Sequence, residues 1–331
     1  MIRLVLTFAM VEENLVARPG QASGQALPAG LSILIPVFNS AEVLPDLVER
    51  IRAIAKSLHV PFELIRVNDG SRDRSWDVIS ALAASSPSVR GINLMRNYGQ
   101  HNALLCGIRA ANCEAIVTMD DDLQHPPEEI PRLLTRLKEG FDVVYGTPEN
   151  EQNGLMRALA SRITRLALRS AVGADVAKNV SAFRIFRTHL REAFAGYQTP
   201  FVSIDVLLTW GTARFAATKV PFQPRHSGSS NYTFTKLVRH ALDMMTGFST
   251  APLQLASLIG FACTLFGVGV FLYVIGRYCL EGSLPGFPFL ASIIAIFSGA
   301  QLFALGVIGE YLARMHFRSM KRPAYAVRAT T

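Results

Sequence analysis

The chain lacks charge over two long stretches. No Asp, Glu, Lys or Arg occurs between Met244 and Gly276, nor between Gly282 and Gly309. Only 18% of the 331 residues are charged, 50% are hydrophobic, and the mean hydropathy is +0.27. A disordered scaffold is excluded, because such chains lack the apolar surface to fold. An ordinary soluble enzyme is excluded too, unless the apolar excess is confined to a few segments. It is confined, to Leu253–Ile275 and Phe287–Ile308. As helix the first is about 34 Å long, enough to cross a hydrocarbon core of about 30 Å. Cysteine is also scarce. Cys106, Cys113, Cys263 and Cys279 form no CxxC pair, so neither a zinc site nor a disulfide framework follows. The apolar start, Met1–Met10, has no small-residue cleavage site close behind it and runs into Glu12 and Glu13. Residues 1–30 are therefore read as a flexible leader rather than a signal peptide.

Acid is missing after Glu310, whereas Arg314, Arg318, Lys321, Arg322 and Arg328 follow it. Positive charge is retained in the cytoplasm, so a two-helix hairpin enters and returns on that side. Part of the net charge of +8 lies in this tail and part between Arg157 and Arg191. Beside membrane spans such residues meet anionic headgroups, at about 1 kcal/mol each. No nucleic-acid module is visible among them. Gly260, Gly267, Ala295 and Gly299 are small enough to let helices approach, within a chain or between copies.

Ahead of the hairpin the pattern alternates. Leu31–Val37, Phe62–Val67, Gly91–Leu94, Ala115–Met119 and Asp142–Tyr145 read as short apolar strands. Val43–Leu58, Trp76–Ala84, Gly99–Ala111 and Pro127–Glu139 read as helices between them. The rhythm predicts an α/β domain with a mostly parallel, Rossmann-like sheet. The expected layout is a leader at 1–30, the α/β domain at 31–231 and an interfacial amphipathic helix at 232–250. Two spans follow within 251–312 (about 252–276 and 287–309), then a basic cytoplasmic tail at 313–331. Leu155–Val172 also has the spacing of an amphipathic helix, suited to the headgroup layer.

Ligands of such sheets bind at the carboxyl ends of strands, and the polar clusters fall there. Asp120-Asp121-Asp122-Leu123-Gln124 follows the strand AIVTM. Three adjacent carboxylates repel one another unless a cation relieves them, and Mg2+ or Mn2+ takes oxygen ligands and bridges to phosphates. On an extended chain Asp120 and Asp122 share one side, while Asp121 points elsewhere. The competing reading is a solvated acidic turn. Asn68-Asp69-Gly70-Ser71 ends the second strand, where Asp69 has the chemistry to accept from a base imide or a ribose hydroxyl. Arg96-Asn97-Tyr98-Gly99-Gln100-His101 precedes a helix whose first amides suit a phosphate. The lone His101 is expected to be structural.

Together LSILIPVFN, VNDGSRDRS, RNYGQHNALLCGI, MDDDLQHPPEEIP and RHSGSSNYTFTKL resemble family-two glycosyltransferases with the GT-A fold. The likeness is closest to the branch that moves mannosyl, glucosyl or formamido-arabinosyl groups onto polyprenyl phosphates, and it covers about residues 31–325. It implies inverting transfer from a nucleotide-diphosphate sugar, UDP-linked by expectation, to undecaprenyl or another polyprenyl phosphate. The setting implied is the cytoplasmic leaflet of a bacterial inner membrane, in the synthesis or modification of cell-envelope glycans. Asp120 and Asp122 would hold the metal, with Gln124 close by. Pro36, Asn39, Asp69, Asn97, Gly99, Gln100 and Asp120 would surround the nucleotide. Arg225, in a pattern with Gly228, Ser230 and Tyr232, would meet phosphates near the acceptor; Arg184 and Lys236 are read beside it as further cations to hold a lipid phosphate at the membrane surface. The resemblance also implies a homo-oligomer, a tetramer by expectation.

Three departures stand out. Ser40 and Ala41 replace a usual Glu after the first strand, Ser229-Ser230-Asn231 replaces E-S-K, and Ser181-Ala182-Phe183-Arg184 replaces G-D-F-R. The last removes an acid proposed as catalytic base. A lipid phosphate, with a second pKa of about 6, is already mostly dianionic and needs positioning more than deprotonation. A hydroxyl acceptor would need a base, and Asp205 is the one candidate. The alternatives are therefore a transferase acting on a sugar hydroxyl and a scaffold that has lost activity. The QxxRW motif of processive synthases is absent.

Overall fold

The computed structural model describes residues 28–149, 174–177, 179–223, 251–281 and 286–331. Eight strands form one sheet: β1 Leu31–Val37, β2 Phe62–Asn68, β3 Val89–Leu94, β4 Ala115–Thr118, β5 Val143–Pro148, β6 Arg184–Arg187, β7 Phe215–Val220 and β8 Val327–Thr330. Their spatial order is β7-β5-β6-β4-β1-β2-β3-β8. β1, β2, β3 and β4 are mutually parallel, as are β5 and β7, while β6 and β8 pair antiparallel with their neighbours. The sheet is thus mostly parallel, as the alternation predicts.

Every residue of β1 is buried, because helices cover both faces and the two sets of side chains enter separate cores. Leu31, Ile33, Ile35 and Val37 pack with α1 (Leu44–Leu58), α2 (Ser75–Ala84) and α4 (Ile130–Lys138). Leu34 faces the other way, into a core shared with α3 (Gln100–Ala110) and α5 (Ile204–Gly211). This two-sided burial is why the strand reads as a continuous apolar run rather than an alternation. Helix α1 carries a proline in its first turn and stops at His59, whose φ of 52° ends the helical path.

β6, β7 and β8 have no counterpart in the sequence reading. β6 and β8 are four residues each, too short for a periodicity to show. β6 slots antiparallel between β4 and β5, with Thr118 opposite Arg184, so Ser181–Phe183 lies at the edge where β4 ends.

Two long helices follow, α6 (Ala251–Glu281) and α7 (Phe287–Ser319). Pro252–Leu280 and Ile296–Ser319 are each long enough to span a membrane, and each contains an 18-residue window, of mean hydropathy 2.4 and 1.4, none of which is buried. At 31 and 33 residues the helices are about 46 and 50 Å long, so each outruns a bilayer core. Of the small residues singled out above, Gly267 marks the close approach. A Cβ there would stand 2.7 Å from the Phe297 ring, whereas Gly260 and Gly299 face open space. Beyond α7 the chain reverses at Lys321 (φ 49°), buries Ala324 and adds β8 to the free edge of β3. The basic tail is therefore part of the sheet.

Candidate active site

β1 has β2 on one side and β4 on the other, so the crevice between the carboxyl ends of β1 and β4 is the switch point of the parallel region, where ligands of open α/β sheets bind. The acidic turn stands in that crevice. The Phe38 N–H, just past β1, donates across it to Asp121 Oδ2 at 3.3 Å. Burial pushes the Asp121 carboxyl up from its usual range, and the charge of Asp122 adds to the push.

The loops after β1 and β2 are stitched together. The Asn39 N–H donates to Ser71 Oγ (3.0 Å), and the Arg72 N–H donates to Asn39 Oδ1 (2.8 Å). Ser40 N–H reaches Ser75 Oγ (3.0 Å), and Ala41 N–H reaches Asp73 Oδ2 (3.1 Å). Asn39 sits at φ 56°, a left-handed position that Asn tolerates. Serines and Asp73 thus act as a frame, a task the sequence reading did not give them. Asn39 itself is exposed at the crevice, whereas Pro36 is buried inside β1.

Asp69 has an internal task. It is 3% exposed, and its two oxygens accept the Tyr98 N–H (2.7 Å) and the Gly99 N–H (2.8 Å). Burial raises its pKa against the pull of those two amides and of Arg96. The carboxylate expected to face a base or ribose is instead the clamp that shapes the Asn97–Gln100 turn. Gly70 makes the clamp possible, since a Cβ there would stand 2.4 Å from the Asn97 nitrogen and the Arg96 carbonyl carbon. Gly99, at φ 97° and beside open space, leaves backbone exposed at the start of α3. Asn97 and Gln100 are exposed on the same turn, and Gln100 Nε2 donates to Asp120 Oδ1 at 2.5 Å. The turn after β3 is thereby tied to the acidic turn after β4.

The acidic segment is a tight turn rather than an extended chain. Leu123 is buried at φ 58°, and Asp122 Oδ1 accepts the Gln124 N–H at 3.1 Å. Gln124 in turn accepts, on its carbonyl, the Gln223 N–H (2.9 Å). Asp120, Asp122 and Gln124 are partly exposed around this turn. Next to it His125 is 8% exposed, stacked on Phe183 (5.5 Å) and edge-on to Phe222 (5.2 Å), with no partner for either ring nitrogen among the described residues. Burial lowers its pKa, with Asp122 pulling the other way. The sequence reading passed over this residue.

Arg184 is not presented to a ligand. Its side chain is 2% exposed and forms an ion pair with Asp205, itself 7% exposed, while its Nε donates to Thr118 Oγ1 at 3.0 Å. Tyr145 Oη donates to the same Asp205 at 3.1 Å. A guanidinium held under β4 cannot grip a lipid phosphate, and Asp205, locked in the same network, cannot serve as a base. Asp120 lies close enough to act electrostatically on Arg184, so the arginine underlies the site without lining it. His101 Nδ1 accepts the Ile204 N–H at 3.3 Å, at the start of α5, a structural task. Arg225 and Lys236 lie outside the described residues, as do both amphipathic segments assigned to the headgroup layer.

Among the described residues no three His, Cys, Asp or Glu side chains converge as a closed metal cage. The acidic turn instead offers oxygen donors alone: the Asp120 and Asp122 carboxylates and the Gln124 amide oxygen. A small set of this kind fits Mg2+ or Mn2+, ions that keep positions for water and substrate phosphate rather than filling an all-protein site.

The sheet order and the acidic turn at its switch point define an open α/β class of enzyme, and comparison with known proteins specifies it. The glycosyl transferase family 2 model matches residues 32–194, and the chain belongs to that family of glycosyltransferases. It is 35% identical over 305 residues to the undecaprenyl-phosphate 4-deoxy-4-formamido-L-arabinose transferase of Pectobacterium atrosepticum, covering 91% of this chain and 93% of that protein. To the transferase of the same name from Shewanella sediminis it is 36% identical over 301 residues, 90% of this chain and 91% of the other. Among solved structures, glucosyl-3-phosphoglycerate synthase from Mycobacterium tuberculosis in complex with Mn2+ and UDP-glucose shares the fold. The TM-score is 0.50 at 16% identity, over 66% of this chain and 77% of that one.

Proposed function

We propose that the protein transfers a sugar from a nucleotide-diphosphate donor, UDP-linked in our reading, to undecaprenyl or another polyprenyl phosphate. Inversion at the anomeric carbon, the inner face of a bacterial cytoplasmic membrane and a role in cell-envelope glycans belong to the same reading. The observation that carries it is the acidic turn at the switch point of a sheet that is itself tied to an apolar helical hairpin. Full-length similarity to undecaprenyl-phosphate transferases supports the acceptor class.

In this reading the nucleotide lies across the carboxyl ends of β1, β2 and β4, against Asn39, and the diphosphate lies between the acidic turn and the exposed Asn97–Gln100 turn. Asp120, Asp122 and Gln124 would hold a divalent cation, which when bound offsets charge growing on the departing diphosphate. Gln100 orients Asp120 from the neighbouring turn. Asp69 acts behind both, by fixing the Tyr98–Gly99 backbone. Arg225 is kept as the candidate cation for the acceptor phosphate, and Arg184 is withdrawn to the interior. The burial of Asp205 in its ion pair and the presence of Ala182 at the β4 edge leave no described acid placed as a base. A dianionic phosphate needs none, whereas a sugar hydroxyl does.

The test is release of nucleoside diphosphate by the full-length protein in detergent, with a panel of nucleotide sugars, with and without undecaprenyl phosphate, and with Mg2+, Mn2+ or chelator. Turnover is expected only with both lipid phosphate and metal, and Asp122→Asn should lower it by about a hundredfold or more, the scale of removing one electrostatic contact to the leaving group. Turnover onto a soluble sugar alone, or full activity of Asp122→Asn, would overturn the proposal.

A further inference from the structure

The Asn97–Gln100 turn has a second side, away from the acidic turn. There a cavity of about 240 Å3, the space of about eight waters, opens between the start of α3, the loop before α5 and the end of α7. Its wall includes Arg96, Tyr98 and Asn102, with Phe201 opposite, and Phe317 and Arg322 from the membrane side. The Arg96 guanidinium stands 4.4 Å above the Tyr98 ring. Neither Arg96 nor Arg322 has an ion-pair partner among the described residues, and both are exposed.

Asn102 supplies a separate indication. It is 7% exposed, and its Nδ2 donates to the Tyr98 carbonyl (2.7 Å) and the Pro200 carbonyl (3.1 Å), which fixes the orientation of the amide. Its Oδ1 is then left buried with no donor among the described residues. Buried acceptors are seldom left unpaired without a reason such as a missing ligand. The cavity therefore offers two positive charges for an anion and, just beneath its wall, one acceptor without a donor among the described residues.

Position narrows the ligand further. Phe317 lies two residues before the end of α7, between His316 and Arg318 in its basic last turn. It meets Phe201 edge-on at 6.3 Å, and Arg314 stands 4.6 Å over the same Phe201 ring. Aromatic rings and arginines at the end of a span mark the headgroup level. We propose that this cavity holds the headgroup of a bilayer phospholipid: Arg96 and Arg322 take the phosphodiester, and Asn102 Oδ1 accepts from the ammonium or hydroxyl beyond it. The site requires α7 to span the membrane, as in the functional reading above, but it does not require sugar transfer, so binding tests it independently of turnover.

The full-length protein, delipidated in a neutral detergent, would be titrated with phosphatidylethanolamine, phosphatidylglycerol or phosphatidylcholine and the retained lipid counted by native mass spectrometry. Undecaprenyl phosphate would be run alongside. One phosphatidylethanolamine or phosphatidylglycerol should be retained at about tenfold lower concentration than phosphatidylcholine, which has no N–H or O–H donor. The exposed double variant Arg96→Gln/Arg322→Gln should lose that molecule while keeping its melting temperature. Equal retention of all three phospholipids, unchanged retention by the double variant, or displacement of the phospholipid by undecaprenyl phosphate would each overturn the assignment.

Discussion

At the scale of single residues, the most informative are those whose environment departs from what their chemistry implies. Asp69 is a carboxylate directed at two backbone amides instead of a ligand. Asp69→Asn keeps one acceptor and puts an amide NH2 against the other N–H. The expected result is a rise of about tenfold or more in the donor KM, with faster amide exchange at Tyr98 and Gly99. Arg66, in the middle of β2, is fully buried; among the described residues its Nε and one terminal nitrogen have no partner, and its other terminal nitrogen donates to the Ile79 carbonyl at 3.3 Å. Burial, reinforced by Arg52, holds its pKa down at about 10 against an ordinary 12.5. The unfolded chain therefore holds this proton more tightly, so the penalty is complete below about pH 10 and shrinks only above it. Arg66→Met should stabilise the domain by about 1–3 kcal/mol. Thermal unfolding should show the same gain at about pH 6 and about pH 8.

At the scale of elements, the buried Arg184–Asp205 pair joins β6 to α5, and Tyr145 of β5 completes it. Removing one partner strands the other charge in the interior, at about 3–5 kcal/mol. Asp205→Ala should therefore unfold the domain at lower temperature, whereas Arg184→Met/Asp205→Leu should recover most of the melting temperature and much of the turnover. Recovered folding with no turnover would restore a chemical role to the pair. The sequence displays the pair only as two charges 21 positions apart. Neither β6 nor α5 is periodic enough to bring them together, so each was read by its type, Arg184 as a phosphate ligand and Asp205 as a base. By contrast β1, β2 and β4 and the helices between them are legible, because long apolar runs buried on both faces leave few other arrangements. The acidic turn was legible for the same reason: it follows a strand whose direction was already given. The β8 tail was not, since VRAT carries an arginine and no alternation.

At the scale of the whole molecule, β8 follows the hairpin yet pairs with β3, which precedes it. With α6 and α7 as spans, the sheet and residues 320–331 must share one side of the bilayer, an inference from pairing that is independent of the charge asymmetry around the helices. Cys279, exposed near the end of α6, falls on the other side. In intact cells a membrane-impermeant maleimide should modify Cys279, whereas a cysteine introduced as Thr331→Cys should react only after permeabilisation. The reverse pattern would invert the orientation.

The pairing of β8 also orders events in time. A ribosome delivers β3 long before β8, and between them come both segments that must enter lipid. Throughout that interval β3 presents an unsatisfied edge, the kind of feature that invites wrong partners. The strand that covers this edge is added only after both helical segments have left the ribosome, so the margin of β3 stays open for the whole of hairpin synthesis.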